Sequence, residues 1–194
     1  MKKIIGLTGP TGAGKSVAAA VAEQMGIQVI DCDRVARTAV MPDTAGLAAL
    51  VSAFGAEILA ADGTLDRKEL ARRAFCDKAH TELLNQTLLP HIIPLVEAEQ
   101  HADRVLLDAP TLFESGIDAT CQAVVAVLSD REKRLERIIE RDGISRKDAE
   151  LRLNAGKSDT FYLERTSYIL YNNGDFDAFL QEAKTLFKKL YGGI

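Results

Sequence analysis

The chain has 194 residues, 47% of them apolar and 27% charged, which is enough to bury one hydrophobic core and carry smaller insertions. Its net charge of −4 and pI near 5.5 argue against a nucleic-acid-binding protein, because there is no basic excess to neutralise phosphates. No basic-then-apolar leader is visible and no apolar run approaches the roughly 20 residues of a membrane span, so we expect a cytoplasmic protein that binds neither nucleic acid nor membrane.

The first predicted element is a buried strand, "KIIGLTG", which runs into the glycine-rich stretch "GPTGAGKS" and then a helix that Gly26 can end. The stretch fits the pattern G-x-x-x-x-G-K-[S/T], and its strand-before, helix-after context is that of a phosphate-binding loop. Lys15 is expected to reach the β- and γ-phosphates of ATP, and the Ser16 hydroxyl to bind Mg²⁺. The predicted ATP-phosphate residues are Gly9, Thr11, Gly12, Ala13, Gly14, Lys15, Ser16 and Val17.

The second predicted strand, "QVIDCD", ends in Asp31 and Asp33. Their spacing puts both carboxylates on the same side of an extended chain, at the strand ends where ligands of parallel sheets bind. We predict that Asp33 accepts the proton of an attacking hydroxyl group. The alternative is that Asp33 caps the helix "RVARTAV", and the two roles are compatible.

A long helical insertion follows, from residue 34 to residue 103. Asp43 precedes the helical segment "TAGLAALVSAFG", and "DRKE", starting at Asp66, has the pattern of a capping box. About seventy residues without a clear strand are too many for an ordinary crossover between strands. This segment is predicted to bind the acceptor of the phosphate.

Three further apolar runs, "RVLLDAP", "AVVAVLS" and "SYILYNNG", complete a predicted parallel sheet, because strands buried on both faces are uniformly apolar. Asp108 ends the first of these runs. From there its carboxylate is expected to approach Mg²⁺ through water. The alternative is that it caps the turn before Pro110.

A second helical excursion covers residues 131–165 and begins with "REKRLERIIERDG". Lys133, Arg137 and Arg141 recur at i, i+4 and i+8, so they form one basic stripe that is expected to lie over the triphosphate and stabilise the transition state. The alternative is a solvated helix whose basic and acidic stripes pair sideways. Ser145 is placed to cap a later helix that Gly156 can end.

The cysteines and histidines show no metal-ligand spacing. The three cysteines, Cys32, Cys76 and Cys121, are therefore expected to be buried free thiols. The same reasoning predicts no metal site built from His80, His91 or His101.

The chain resembles the dephospho-coenzyme A kinases over nearly its whole length. The matching segments are "LTGPTGAGKS", "VIDCDRVAR", "FGAEILAADGTLDRKELARRAF", "DAPTLFESG", "RIIERDGIS" and "YNNG". The resemblance implies an α/β fold: a five-stranded parallel P-loop kinase core of the adenylate-kinase-like, three-layer α/β/α kind, with a helical acceptor-binding insertion and a helical lid. It assigns residues 1–33, 104–130 and 166–194 to the core, 34–103 to a coenzyme-A-binding part and 131–165 to the lid.

The resemblance also implies an activity and a set of site residues. The activity is Mg²⁺-dependent transfer of the ATP γ-phosphate to the ribose 3′-hydroxyl of dephospho-coenzyme A, the last step of coenzyme A synthesis. Separately, a monomer or weak homo-oligomer is expected. The resemblance implies that Asp33 is the general base and that Arg141 lies in the lid. With Lys15 of the phosphate loop and Arg137 of the basic stripe, these are the predicted catalytic residues. Asn172 and Gly174 match a turn beside the adenine, and the implied acceptor-binding residues are Asp31, Asp33, Arg37, Leu112, Phe113 and Glu114.

The chain departs from the family pattern at four places. Pro90-His91 stands where His-Pro is common, Gly156 replaces a common Gln, Ser167 a common Asp, and Cys32 a common Ala. Two other functions therefore stay open: another small-metabolite P-loop kinase, and a nucleotide-binding protein with weakened catalysis.

Overall fold

In the part of the chain that the structure describes, five parallel strands form one sheet in the order β2-β3-β1-β4-β5, with helices on both sides, which confirms the predicted fold class. The strands are β1 (Lys3–Thr8), β2 (Gln28–Asp31), β3 (Arg104–Asp108), β4 (Ala123–Leu128) and β5 (Tyr168–Tyr171). β1 is central, with Lys3 opposite Arg104 of β3 and Ile5 opposite Ala123 of β4. All five strands lie in the apolar runs that the sequence predicts.

The computed structural model describes residues 2–192, so residues 1, 193 and 194 of the predicted core lie outside the described part. The chain divides into two compact units. The first comprises Met1–Ile30, His101–Leu112 and Thr120–Ile194, and the second comprises Asp31–Gln100 and Phe113–Ala119. Among the described residues, no helix is long and apolar enough to cross a bilayer.

The core of the first unit lies between the sheet and two helices, α1 (Lys15–Gln24) and α9 (Phe176–Tyr191), which pack against each other. Ile5, Leu7 and Phe187 are fully buried in it. α1 ends as predicted, with Gly26 at φ +73°. Burial of strands on both faces explains why their sequences do not alternate.

Residues 131–165 belong to the first unit and form three helices: α6 (Arg131–Asp142), α7 (Arg146–Ala155) and α8 (Asp159–Leu163). α6 and α7 pack through Leu135, Ile138, Ala149 and Leu153. The Ser145 hydroxyl caps α7 by accepting from the Asp148 N–H at 3.1 Å, as predicted. The lid role of this segment stays a prediction.

The second unit is helical, as the sequence predicts for most of residues 34–103. Its helices are α2 (Cys32–Thr38), α3 (Ala45–Phe54), α4 (Arg67–Ala74) and α5 (Lys78–Glu99). α5 packs against the other three and continues through Pro90 and Pro94. Asp66 caps α4 as predicted, accepting from the backbone of Lys68 and Glu69, whereas Thr44 rather than Asp43 caps α3.

Candidate active site

The phosphate loop, residues 9–16, joins β1 to α1 and owes its shape to glycine. Gly12 and Gly14 have φ of +77° and +101°, a region that side-chain-bearing residues rarely adopt. Space is equally restricted, because a Cβ on Gly12 would lie 2.7 Å from the Arg134 carbonyl oxygen, and one on Gly14 would collide with the Asn172 amide. The loop is therefore packed against α6 and against the turn after β5.

A cavity of about 530 Å³, called here the first cavity, opens over this loop at the N-terminus of α1. Exposed backbone N–H groups and the helix dipole favour an anion at such a place. The lining residues are Gly9, Pro10, Thr11, Gly12, Gly14, Lys15, Ser16, Val17, Pro110, Arg137, Glu140 and Arg141. The predicted phosphate residues are all among them except Ala13, which is buried beneath the loop.

Lys15 forms an ion pair with Asp108, and each side chain is only 18% exposed. Asp108 ends β3 opposite Leu7 of β1, so the sheet register carries its carboxylate to the loop. The Thr8 hydroxyl donates to the Pro110 carbonyl at 3.2 Å and fixes the turn that follows Asp108. The lysine that is expected to hold the phosphates is thus positioned by a carboxylate.

Ser16 and Asp108 offer oxygen donors of the kind that Mg²⁺ prefers. Ser16 lies in the first turn of α1, exposed to the first cavity, and Asp108 lies beside Lys15. A hydroxyl and a single carboxylate suit Mg²⁺, which keeps several waters and takes its other ligands from phosphates. The residues present fit the ion.

Arg137 of α6 is bound to the phosphate loop itself. Its Nη1 donates to the Gly12 carbonyl at 3.2 Å and to the Ser129 hydroxyl at 3.0 Å, and its Nη2 donates to the Asn172 carbonyl at 2.9 Å. Arg137 lines the first cavity beside the phosphate loop, and its predicted catalytic role stays a prediction. The sequence does not reveal Ser129 and Asn172 as its partners, since they follow β4 and β5 and are brought together by strand pairing.

The other basic residues of α6 have separate partners. Lys133 donates to the Asn173 carbonyl, and the buried Arg134 pairs with Asp159 at 3.3 Å. Arg141 forms two hydrogen bonds with Asp142, 2.7 and 2.9 Å long, and Asp142 raises the pKa of Arg141. The alternative expectation, that the basic stripe of this helix pairs sideways with its acidic stripe, is therefore wrong for Lys133 and Arg137.

The two residues predicted beside the adenine differ in exposure. Asn172 is 6% exposed and donates its side-chain N–H to the Ala13 carbonyl at 2.9 Å, while Gly174 is exposed. Asn172 thus supports the phosphate loop from below. An adenine contact of either residue stays a prediction.

The geometry after β2 differs from the expected extended chain. The strand stops at Asp31, whose carboxylate caps α2 by accepting from the Arg34 N–H at 3.0 Å. Asp33 lies in the first turn of that helix. The two carboxylates therefore do not share one side of a strand, and the capping role expected of Asp33 belongs to Asp31, because Asp31 is the last residue with extended backbone before the helix.

A second cavity, of about 260 Å³, lies within the helical unit. It is lined by Asp33, Ala36, Arg37, Val40, Leu50, Leu65, Arg67, Leu70 and Leu88. Asp33 and Arg37 are predicted acceptor residues, whereas sequence reasoning missed Arg67, whose only signal was a basic residue beside the capping Asp66. The second cavity combines two guanidinium groups, one carboxylate and an apolar wall.

The remaining predicted acceptor residues are not part of the second cavity's lining. Asp31 is the helix cap described above, and Leu112 is fully buried in the first unit. Phe113 and Glu114 belong to the helical unit, where the Glu114 Oε2 atom is buried without a hydrogen-bond partner among the described residues. Their acceptor contacts stay predictions.

The residues that depart from the family pattern lie within or beside helices and strands. Cys32 is buried in α2, and Pro90 and His91 lie within α5. Gly156 follows α7, and Ser167 accepts from the Val124 N–H at 3.4 Å beside the start of β5. None of these residues lines either cavity described above.

A five-stranded parallel sheet with a glycine-rich phosphate loop after its central strand defines a P-loop kinase. The dephospho-CoA kinase family model matches residues 3–178. The dephospho-CoA kinases of Moorella thermoacetica and Corynebacterium glutamicum are both 38% identical to the chain; the matches cover 96% and 89% of this chain and 92% of each relative. The chain belongs to the dephospho-CoA kinase family.

A solved structure agrees with this assignment. The dephospho-CoA kinase from Campylobacter jejuni superposes with a TM-score of 0.66 at 26% identity, covering 99% of both chains. The family resemblance seen in the sequence is therefore confirmed over almost all of the chain.

Proposed function

We propose that this protein transfers the γ-phosphate of ATP to the ribose 3′-hydroxyl of dephospho-coenzyme A, giving coenzyme A and ADP. As a member of the dephospho-CoA kinase family it is an ATP-dependent kinase of coenzyme A synthesis. The observation that carries the proposal is the first cavity, in which the phosphate loop, Lys15 and Arg141 converge at a helix N-terminus.

The donor half of the reaction rests on the phosphate loop. Its backbone N–H groups and the α1 dipole hold the phosphates, and Lys15 moves from Asp108 to the β- and γ-phosphate oxygens. When bound, Mg²⁺ offsets the negative charge that develops during transfer. Ser16 would hold it directly and Asp108 through water.

The acceptor half rests on the second cavity. Dephospho-coenzyme A carries a diphosphate group, for which Arg37 and Arg67 provide two charged hydrogen-bond donors beside apolar side chains. Asp33, in the same lining, takes the proton of the 3′-hydroxyl as the oxygen attacks. Proton removal raises the nucleophilicity of the oxygen, and the bond to the γ-phosphorus forms as the bond to ADP breaks.

Arg141 supplies positive charge to the transferring phosphoryl group. Arg141 lines the first cavity and is paired with Asp142, so it would engage the phosphate either through its other N–H groups or by leaving that carboxylate. Arg137 shapes the loop from its side. Its hydrogen bonds to Gly12 and Ser129 support a positioning role rather than direct contact with the phosphoryl group.

The experiment that tests the proposal measures ADP release by the purified protein with Mg²⁺-ATP and a panel of acceptors: dephospho-coenzyme A, adenosine monophosphate and shikimate. We expect release with dephospho-coenzyme A and little with the other two, and loss of release in Lys15→Ala. Preference for another acceptor would support a different small-metabolite kinase. No ADP release with any of the three would support a nucleotide-binding protein without catalysis.

The metal assignment has its own test. Removal of divalent cations with a chelator should abolish turnover, and Asp108→Asn should raise the Mg²⁺ concentration needed for half-maximal rate. An unchanged Mg²⁺ requirement in that variant would remove Asp108 from the metal site. We also propose that the protein is cytoplasmic. We further propose that it is a monomer or weak homo-oligomer, and size-exclusion chromatography would test this oligomeric state.

A further inference from the structure

Cys76, Asp77 and His80 come together at the start of α5, outside both cavities. The thiol sulfur, a carboxylate oxygen and a ring nitrogen all lie within 4.8 Å of one another. The His80 Nδ1 atom is 2.9 and 3.0 Å from the two carboxylate oxygens of Asp77. All three residues are exposed, so an ion can reach them from solvent.

These distances suit a tetrahedral metal site. Metal–ligand bonds of about 2.0–2.3 Å place neighbouring donors of a tetrahedron roughly 3.3–3.8 Å apart. The donors, at most 4.8 Å apart, are therefore close to this spacing, and binding would draw them together as the Cys76 thiol leaves the Arg73 carbonyl, to which it donates at 3.1 Å. In the described structure Asp77 and His80 are already at hydrogen-bond distance, with Cys76 next to them in the chain.

The donor chemistry selects the kind of ion. A thiolate, an imidazole and a carboxylate provide one sulfur, one nitrogen and one oxygen, which suits Zn²⁺ and similar borderline-soft ions rather than Mg²⁺. A thiolate and a carboxylate together neutralise a divalent charge. Such a site would not compete with the kinase for its magnesium.

The backbone that carries the ligands is fixed. The Asp77 carboxylate caps α5 by accepting from the His80 N–H at 2.8 Å. The Thr81 hydroxyl lies 3.0 Å from the carbonyl oxygens of both Ala74 and Asp77, which holds the turn between α4 and α5. Capping alone explains Asp77 and the His80 N–H, but it requires neither an imidazole at residue 80 nor a thiol at residue 76.

We propose that Cys76, Asp77 and His80 form a binding site for a zinc-type divalent ion, with water completing the coordination. The Cys76 sulfur gives up its proton to solvent as the sulfur–metal bond forms, so one proton is released for each ion bound. One expectation from the sequence is wrong here, because Cys76 is exposed rather than buried. The proposal also departs from the expectation that His80 takes no part in a metal site.

Cobalt titration tests the proposal without reference to turnover. The whole chain, reduced and anaerobic, is titrated with Co²⁺ and then with Zn²⁺, in excess Mg²⁺. We expect a thiolate-to-cobalt absorption and tetrahedral visible bands that Zn²⁺ abolishes. We also expect an unfolding temperature that rises with Zn²⁺, because a ligand of the folded state stabilises it.

Matched variants separate this site from other thiols and imidazoles. Cys76→Ser should abolish the thiolate band, and His80→Ala should weaken binding by at least the roughly 10- to 100-fold seen when a supporting residue is lost. Cys121→Ser and the exposed His101→Ala should bind as the parent chain does. A parent chain without the cobalt band, or a band retained in Cys76→Ser, would overturn the proposal.

Discussion

The side-chain amide of Asn172 donates to the carbonyl oxygen of Ala13 across 2.9 Å, in an environment where both residues are buried. This bond ties the turn after β5 to the phosphate loop. Arg137 reaches the same two segments by donating to the carbonyls of Gly12 and Asn172. The loop is therefore held in its phosphate-binding shape by the protein before any nucleotide arrives.

Asn172→Ala should weaken ATP binding. The change leaves the buried Ala13 carbonyl with only the longer hydrogen bond from Arg137 Nη1, at 3.4 Å. Loss of the shorter bond costs about 0.5–1.5 kcal/mol and lets the loop distort. ATP affinity, measured by calorimetric titration, should fall, and so should the free energy of unfolding. Asn173→Ala is the matched control, since Asn173 binds Asp130 rather than the loop. Equal losses of ATP affinity in both variants would contradict the supporting role.

Arg137→Lys should weaken ATP and ADP binding to the same extent. Lysine keeps the charge but cannot reach the Gly12 and Asn172 carbonyls together, and loss of charged hydrogen bonds worth about 1.5–3 kcal/mol corresponds to a roughly 10- to 150-fold weaker affinity. Because both nucleotides bind the loop, the affinity for each should fall. A loss confined to ATP would show that Arg137 acts on the γ-phosphate instead.

Asp33→Asn should bind ATP normally but turn over about 10²–10⁴ times more slowly, the usual contribution of a positioned base. Single-turnover rates at saturating acceptor measure this directly. Asp31→Asn keeps the helix cap, because asparagine caps as well as aspartate, and should at most raise the KM for the acceptor. An unaltered rate in Asp33→Asn would remove Asp33 from the chemistry.

Glu69 should give the helical unit an acid-sensitive stability. Its carboxylate accepts from Arg72 at 2.7 and 2.8 Å and from Arg73 at 2.7 Å, and these two guanidinium groups lower its pKa from 4.5 to about 2. Between these values the unfolded chain binds the proton and the folded chain does not. The stabilisation is therefore complete above pH 4.5 and is lost as the pH falls towards 2.

Chemical unfolding of the parent chain and Glu69→Gln across this pH range checks that expectation. The difference in unfolding free energy should shrink as the pH falls from 4.5 to 2. A difference that stays constant over this range would mean that the two arginines do not bind the carboxylate more strongly than water does.

The sheet was predictable because strands buried on both faces are uniformly apolar, and the phosphate loop because its glycines and Lys15 follow a fixed spacing. The helix cap was harder to predict, because Asp31 and Asp33 are both suitable capping residues. Which of them caps the helix depends on where β2 stops pairing. Contacts such as Arg137 with Ser129 and Asn172 join residues that only strand pairing brings together. The exposure of Cys76 could not be predicted from the sequence, because free cysteines are usually buried and nothing in the sequence marks this one as an exception.

The central claim is that the γ-phosphate of ATP goes to the ribose 3′-hydroxyl of dephospho-coenzyme A. Phosphorus NMR of the product formed with Mg²⁺-ATP and dephospho-coenzyme A tests it most directly, because coupling of the new phosphomonoester phosphorus to a ribose proton identifies the carbon that carries the phosphate. We expect one 3′-phosphomonoester for each ADP released. A phosphate on another hydroxyl, or ADP release without a new phosphomonoester, would contradict the account.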